Sequence, residues 1–74
     1  MTDARSKLRL AFGKRVRLLR HTREWSQEQL AEQVGVHPSY IGAIERGEQS
    51  VSIDNAGKIA KALKVSLSEL FQGL

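Results

Sequence analysis

The stretch SQEQLAEQVGVHPSYIGAIER, residues 26–46, decides the fold. It divides into two helical halves, each with its own start and stop. Ser26 lies three residues before Gln29. At that spacing the serine oxygen accepts from the Gln29 N–H while the glutamine side chain reaches back to the Ser26 N–H. Trp25, before this cap, and Leu30, beyond it, are placed to close a hydrophobic staple. Leu30, Ala31 and Val34 then share one helical face. Gly35 suits the left-handed backbone that ends a helix. Pro38 suits the first position of a second helix, where no amide donor is needed. Ile41 and Ile44 give that helix its apolar face, and Gly47 supplies its stop.

Two short helices joined by a glycine-containing turn make a helix-turn-helix. Ala31 is small enough for the second helix to cross close over the first, with Val36 and Ile41 beneath the crossing. Gln27, Ser39, Tyr40, Ala43 and Arg46 are left on the outer face. Upstream, Lys7 to about Arg23 reads as a helix on the spacing of Leu8, Phe12, Val16 and Leu19. Gly13 within it either weakens the helix or marks a close approach. Residues ahead of this helix are expected to fray. Downstream, Glu48 to Val51 is a polar loop, and Ser52 caps a helix from Ile53 to about Leu63. Its buried stripe is Ile53, Ala56, Ile59, Ala60 and Leu63, and Gly57 suggests a close crossing. Ser66 and Glu69 repeat the capping-box spacing and open a last helix, Leu67 to Gln72. The expected architecture is all-α, five helices in one domain over residues 1–74, with the helix-turn-helix at the second and third.

The chain has 74 residues and no cysteine. A domain of this size buries a limited core and often leans on a second subunit. The lack of cysteine rules out disulfides and thiolate metal sites, and agrees with a cytoplasmic protein. No apolar run is long enough for a membrane span, and residues 1–15 lack the apolar stretch of a signal peptide. The formal charge is +4 and the pI about 10.0. Such a surplus draws anions, nucleic acid foremost. Eight of the twelve basic residues fall between Arg5 and Arg23. They either approach phosphates or form a solvated helix face with some intrachain pairs. His21 and His37 have no metal-ligand spacing, and no glycine-rich phosphate loop is present. Neither a metal, nor a cofactor, nor catalysis is expected. His37 is placed to cap the second motif helix or to touch phosphate.

Ser26-Gln27, Leu30-Ala31, Val34-Gly35-Val36, Ser39-Tyr40-Ile41 and Ile44-Glu45-Arg46-Gly47 together resemble the Cro/repressor-like, XRE-type helix-turn-helix family. Ser52-Ile53 and the run from Leu63 to Phe71 extend the likeness, which covers the chain from about Phe12 to Phe71. The YIGAIER run and the small size also resemble the controller proteins of restriction–modification systems. The resemblance implies a sequence-specific DNA-binding transcriptional regulator that binds near-palindromic operators as a homodimer and controls restriction–modification genes. It implies a salt bridge between Arg20, late in the first helix, and Glu45. A cation there also offsets the unfavourable placement of a carboxylate at a helix C-terminus. It implies too that the last helix builds a two-fold dimer. Leu67, Leu70, Phe71 and Leu74, within a dimerisation region of residues 66–74, are either subunit contacts or the lid of the core.

In such a regulator the second motif helix enters the major groove. Gln27 clamps a phosphate through its amide and nearby backbone N–H groups. Ser39 donates or accepts at a base edge or phosphate. Tyr40 either bonds phosphate through its hydroxyl or packs its ring on the motif. Arg46 is suited to bidentate contact with guanine O6 and N7, or else holds the backbone. Two positions depart from many relatives. Pro38 replaces a polar or basic residue that often reads a base, and Ala43 offers only a methyl group, suited to a thymine methyl. Specificity is therefore expected to rest on Arg46, on the Gln49–Ser50 loop and on DNA shape. Glu28 and Glu32 are acidic residues that could meet RNA polymerase, or simply face solvent. The alternative function is an antitoxin-type DNA-binding protein that also holds a toxin. That reading asks for an added segment, and five helices use up the sequence.

Overall fold

The computed structural model describes residues 6–74, and the expected fraying of the extreme N-terminus lies outside them. Five helices follow in order: α1 (Lys7–Thr22), α2 (Gln27–Val34), α3 (Pro38–Glu45), α4 (Ile53–Leu63) and α5 (Leu67–Leu70). No strand occurs among the described residues. The expected boundaries hold at α2, α3 and α4. By contrast, α5 stops at Leu70, because Phe71 takes a non-helical backbone and caps it.

The starts of α1, α2, α4 and α5 each follow from a serine side chain that accepts an otherwise unpaired N–H. Ser6, Ser26, Ser52 and Ser66 accept from the N–H of Arg9, Gln29, Asn55 and Glu69, respectively. The boxes at α2 and α5 are reciprocal, since Gln29 and Glu69 accept from the N–H of Ser26 and Ser66. Gly35 ends α2 at φ +88°, in the left-handed region.

Phe12, Val16, Leu30, Ala31, Ile41, Ile44, Ala56, Ile59, Ala60, Leu63 and Leu70 form one continuous core drawn from all five helices. The third helix, α3, packs on both α1 and α2, while α5 bridges α4 and α1. At the α1–α3 crossing Gly13 leaves its neighbour no room: a Cβ there would lie 2.7 Å from the Glu45 carbonyl oxygen. The close approach is therefore the right reading of that glycine. At Gly57 the expectation fails, because a Cβ there would meet nothing within 4 Å. Two apolar positions also depart from expectation. Leu8 is 62% and Ile53 72% exposed, so neither belongs to a buried stripe. Both lie in the first turn of their helices, beyond the reach of the core.

Three of the basic residues of α1 and its cap serve the fold. The Arg15 guanidinium donates to the Glu69 carbonyl at 2.9 Å and to Gln72 Oε1 at 3.3 Å, tying α5 to α1. The Arg23 guanidinium lies 4.7 Å from the Trp25 ring centroid, a cation–π distance, and reaches the Leu63 carbonyl. Arg20 is the third, and it belongs to the site.

Candidate nucleic-acid interface

The orientation of α3 is fixed by a buried ion pair. Arg20 Nε and one terminal nitrogen donate to the two Glu45 carboxylate oxygens at 2.7 and 2.9 Å. Its other terminal nitrogen donates to the Trp25 carbonyl at 2.7 Å. Glu45 completes its set by accepting from the Gln27 amide at 3.1 Å. Such a pair is tolerated inside a protein because nearly every donor and acceptor is matched. The salt bridge implied by the resemblance is thus present, and it joins α1, α2 and α3 at one point.

That arrangement adds to the role expected of Gln27. Its amide nitrogen gives one of its two hydrogens to Glu45, which leaves the second for an outside acceptor. The backbone at the start of α2 offers further donors, since the first N–H groups of a helix have no partner within it. Tyr40 is similarly engaged. Its ring packs on the core and its hydroxyl oxygen accepts from Asn55 Nδ2 at 2.9 Å, leaving the hydroxyl hydrogen available to an outside acceptor. The ring-packing alternative therefore holds, and the hydroxyl hydrogen is left over.

His37 is the cap of α3: its Nδ1 accepts from the Ser39 N–H at 3.1 Å and lies 2.8 Å from Ser39 Oγ. With Nδ1 as acceptor, the Ser39 hydroxyl hydrogen is also directed at the ring, and the oxygen lone pairs face outward to accept. His37, Ser39, Arg46, Gln49 and Ser50 are exposed, and Pro38 and Ala43 half-buried. Gln49 Nε2 donates to the Ser50 carbonyl, which folds that loop on itself.

Arg46, the C-cap of α3, donates through Nε to Glu48 Oε1 at 3.0 Å. One of its terminal nitrogens lies over Gly42, 3.1 Å from where a Cβ would stand. The guanidinium thus bends back along the helix over a position kept bare. Gly42, Glu48 and Asn55 were not singled out from the sequence. Gly42 was detectable as a glycine inside a helix that gains nothing in propensity from it, and Glu48 as an opposite charge beside Arg46.

At the proposed subunit surface the structure separates the four candidates. Leu70 is fully buried in its own chain, at 0% exposure, and offers nothing to a second subunit. Leu67, Phe71 and Leu74 are partly exposed. The Phe71 ring stacks on Phe12 with centroids 5.1 Å apart, so it also serves the core.

A helix-turn-helix family profile matches residues 16–70. Control protein C.BamHI of Bacillus amyloliquefaciens is 47% identical over 64 residues, spanning 85% of this chain and 79% of that protein. The crystal structure of the restriction–modification controller protein C.AhdI from Aeromonas hydrophila superposes with a TM-score of 0.83 at 44% identity, covering 85% of this chain and 96% of that one. The biofilm master regulator SinR, solved in complex with DNA, superposes with a TM-score of 0.77 at 35% identity, covering 82% of this chain and 98% of that one. The capped α2–turn–α3 corner and these likenesses agree, and the chain belongs to the XRE-type helix-turn-helix family of DNA-binding transcriptional regulators.

Proposed function

We propose that this chain regulates restriction–modification genes by binding a near-palindromic operator as a homodimer. The observation that carries the reading is the presentation of α3. Its inner face is locked through Glu45, while Ser39 and Arg46 face outward at its two ends. Inserted in a major groove, that helix sets the accepting Ser39 oxygen against a donor on a base edge and Arg46 against a guanine, with Ala43 between them. His37, Pro38 and the first turn of α2 lie along the phosphates, joined by Tyr40 through its free hydrogen. Gln49 and Ser50 extend the contact from the following loop. Gln27 holds Glu45 with one amide hydrogen and offers the other to a phosphate.

So few base contacts make a lone copy a weak binder, whereas two copies place recognition helices about 34 Å apart, one turn of duplex. Leu67, Phe71 and Leu74 supply the apolar surface for that pairing. Leu8 joins them, since Leu8, Phe12, Val51 and Phe71 line a cleft of about 250 Å³ beside α5. Glu28 and Glu32 stand exposed on α2 as the acidic contact for RNA polymerase. Binding is non-catalytic and takes place in the cytoplasm. No helix among the described residues is long and apolar enough to cross a membrane.

A gel shift with the DNA upstream of its own gene, run across a salt series, tests the reading. Specific retardation that weakens steeply with salt is expected. Equal retardation of a scrambled duplex overturns it.

A further inference from the structure

We propose that Glu48 sets the sequence specificity of this interface by fixing the pose of Arg46. The inference rests on the proposed function and adds a residue outside the expected contact set. The Arg46–Glu48 pair is exposed, with side chains 59% and 47% accessible. An ion pair in that setting contributes little to stability. A carboxylate on a surface meant for phosphates also weakens attraction to any duplex. Its presence there calls for a reason other than fold or general affinity.

The geometry supplies one. Glu48 Oε1 accepts from Nε, one flank of the guanidinium. Gly42 removes the side chain that would otherwise displace a terminal nitrogen, and the guanidinium settles over it. A long, rotamer-rich side chain is thereby held between a hydrogen bond at Nε and a bare helix surface. Among the described residues the two terminal nitrogens have no hydrogen-bond partner, so both keep their donors for a ligand. A guanine presents O6 and N7 as paired acceptors in the major groove, and only a guanidinium held at the right angle meets both. An unheld arginine reaches phosphates equally well and gains affinity without discrimination. Gly42, Arg46 and Glu48 form one unit on this account: a seat, a reader and a guide.

The test compares E48A and E48Q with the unsubstituted protein. Each is titrated against a duplex selected by the unsubstituted protein from a random pool and against a scrambled duplex of the same composition. Both variants remove the charge, but only E48Q keeps an oxygen that can accept from Nε. E48A is expected to lower the ratio of selected to scrambled affinity about tenfold, the discrimination of one bidentate contact, and E48Q about twofold. In an R46A background E48A should lower it no further. Thermal melts of both variants should match the unsubstituted protein. The inference is overturned if E48A keeps the ratio within twofold, if E48Q falls as far as E48A, or if the E48A loss persists without Arg46. Should the unsubstituted protein select no duplex at all, the proposed function fails first and takes this inference with it.

Discussion

Arg20 and Glu45 meet through two parallel hydrogen bonds of 2.7 and 2.9 Å in an interior position, with the arginine 7% exposed. Removing either partner strands the other charge away from water. Arg20→Ala or Glu45→Ala should lower stability by roughly 3–5 kcal/mol, most of what a small domain has in total. Urea unfolding followed by circular dichroism measures the loss. Arg20→Lys should recover little, because a single ammonium cannot reproduce the fork and the bond to Trp25. Full stability in Arg20→Lys would mean that charge alone holds the joint.

The two glycines of α1 and α4 should respond with opposite signs. Gly13→Ala forces a methyl group into the backbone carbonyl of Glu45 and should cost at least about 1–3 kcal/mol. Gly57→Ala adds a methyl group into open space on a helix and should stabilise by roughly 0.8–1 kcal/mol. Paired thermal melts decide both. A destabilised Gly57→Ala would reveal a constraint on α4 that its surroundings do not show.

Leu70 and Leu74 separate folding from assembly. Leu70→Ala empties a fully enclosed site and should cost about 2–5 kcal/mol. Leu67→Glu or Leu74→Glu should leave the melting of the isolated subunit nearly unchanged while weakening self-association in sedimentation equilibrium. A dimer that survives both glutamates lies on another surface.

Arg46→Ala should reduce discrimination at one guanine step by roughly 1–3 kcal/mol, with Ser39→Ala changing the selected sequence near the other end of α3. Binding-site selection with each variant reads the two positions independently. If Arg46→Ala weakens all duplexes alike, the guanidinium holds phosphate only.

The helical plan was legible because its punctuation is local. Ser26 with Gln29, Ser66 with Glu69, Gly35 and Pro38 each act within a few residues, and the structure places their hydrogen bonds and turns as expected. The partners of Gln27 and Tyr40 were not legible, since Glu45 and Asn55 lie 18 and 15 residues away in sequence. Leu8 and Ile53 misled for a related reason. Helical periodicity says which face a residue is on, but not whether the core extends that far along the axis. The charge run in α1 left two readings open, and three of its members take partners within the chain: Arg20 takes Glu45, as the resemblance implied, while Arg15 and Arg23 spend donors on carbonyls that no local pattern announces.

The tie from Arg15 to the backbone of α5 reaches beyond the stability of one chain. The same helix that carries Arg15 is bolted to α3 through Arg20 and rests on it at Gly13. In a two-fold assembly built on α5, the separation of the two recognition helices is therefore gauged by α1. Shortening or tilting that helix would alter which operator spacing fits, even with every DNA-facing side chain intact.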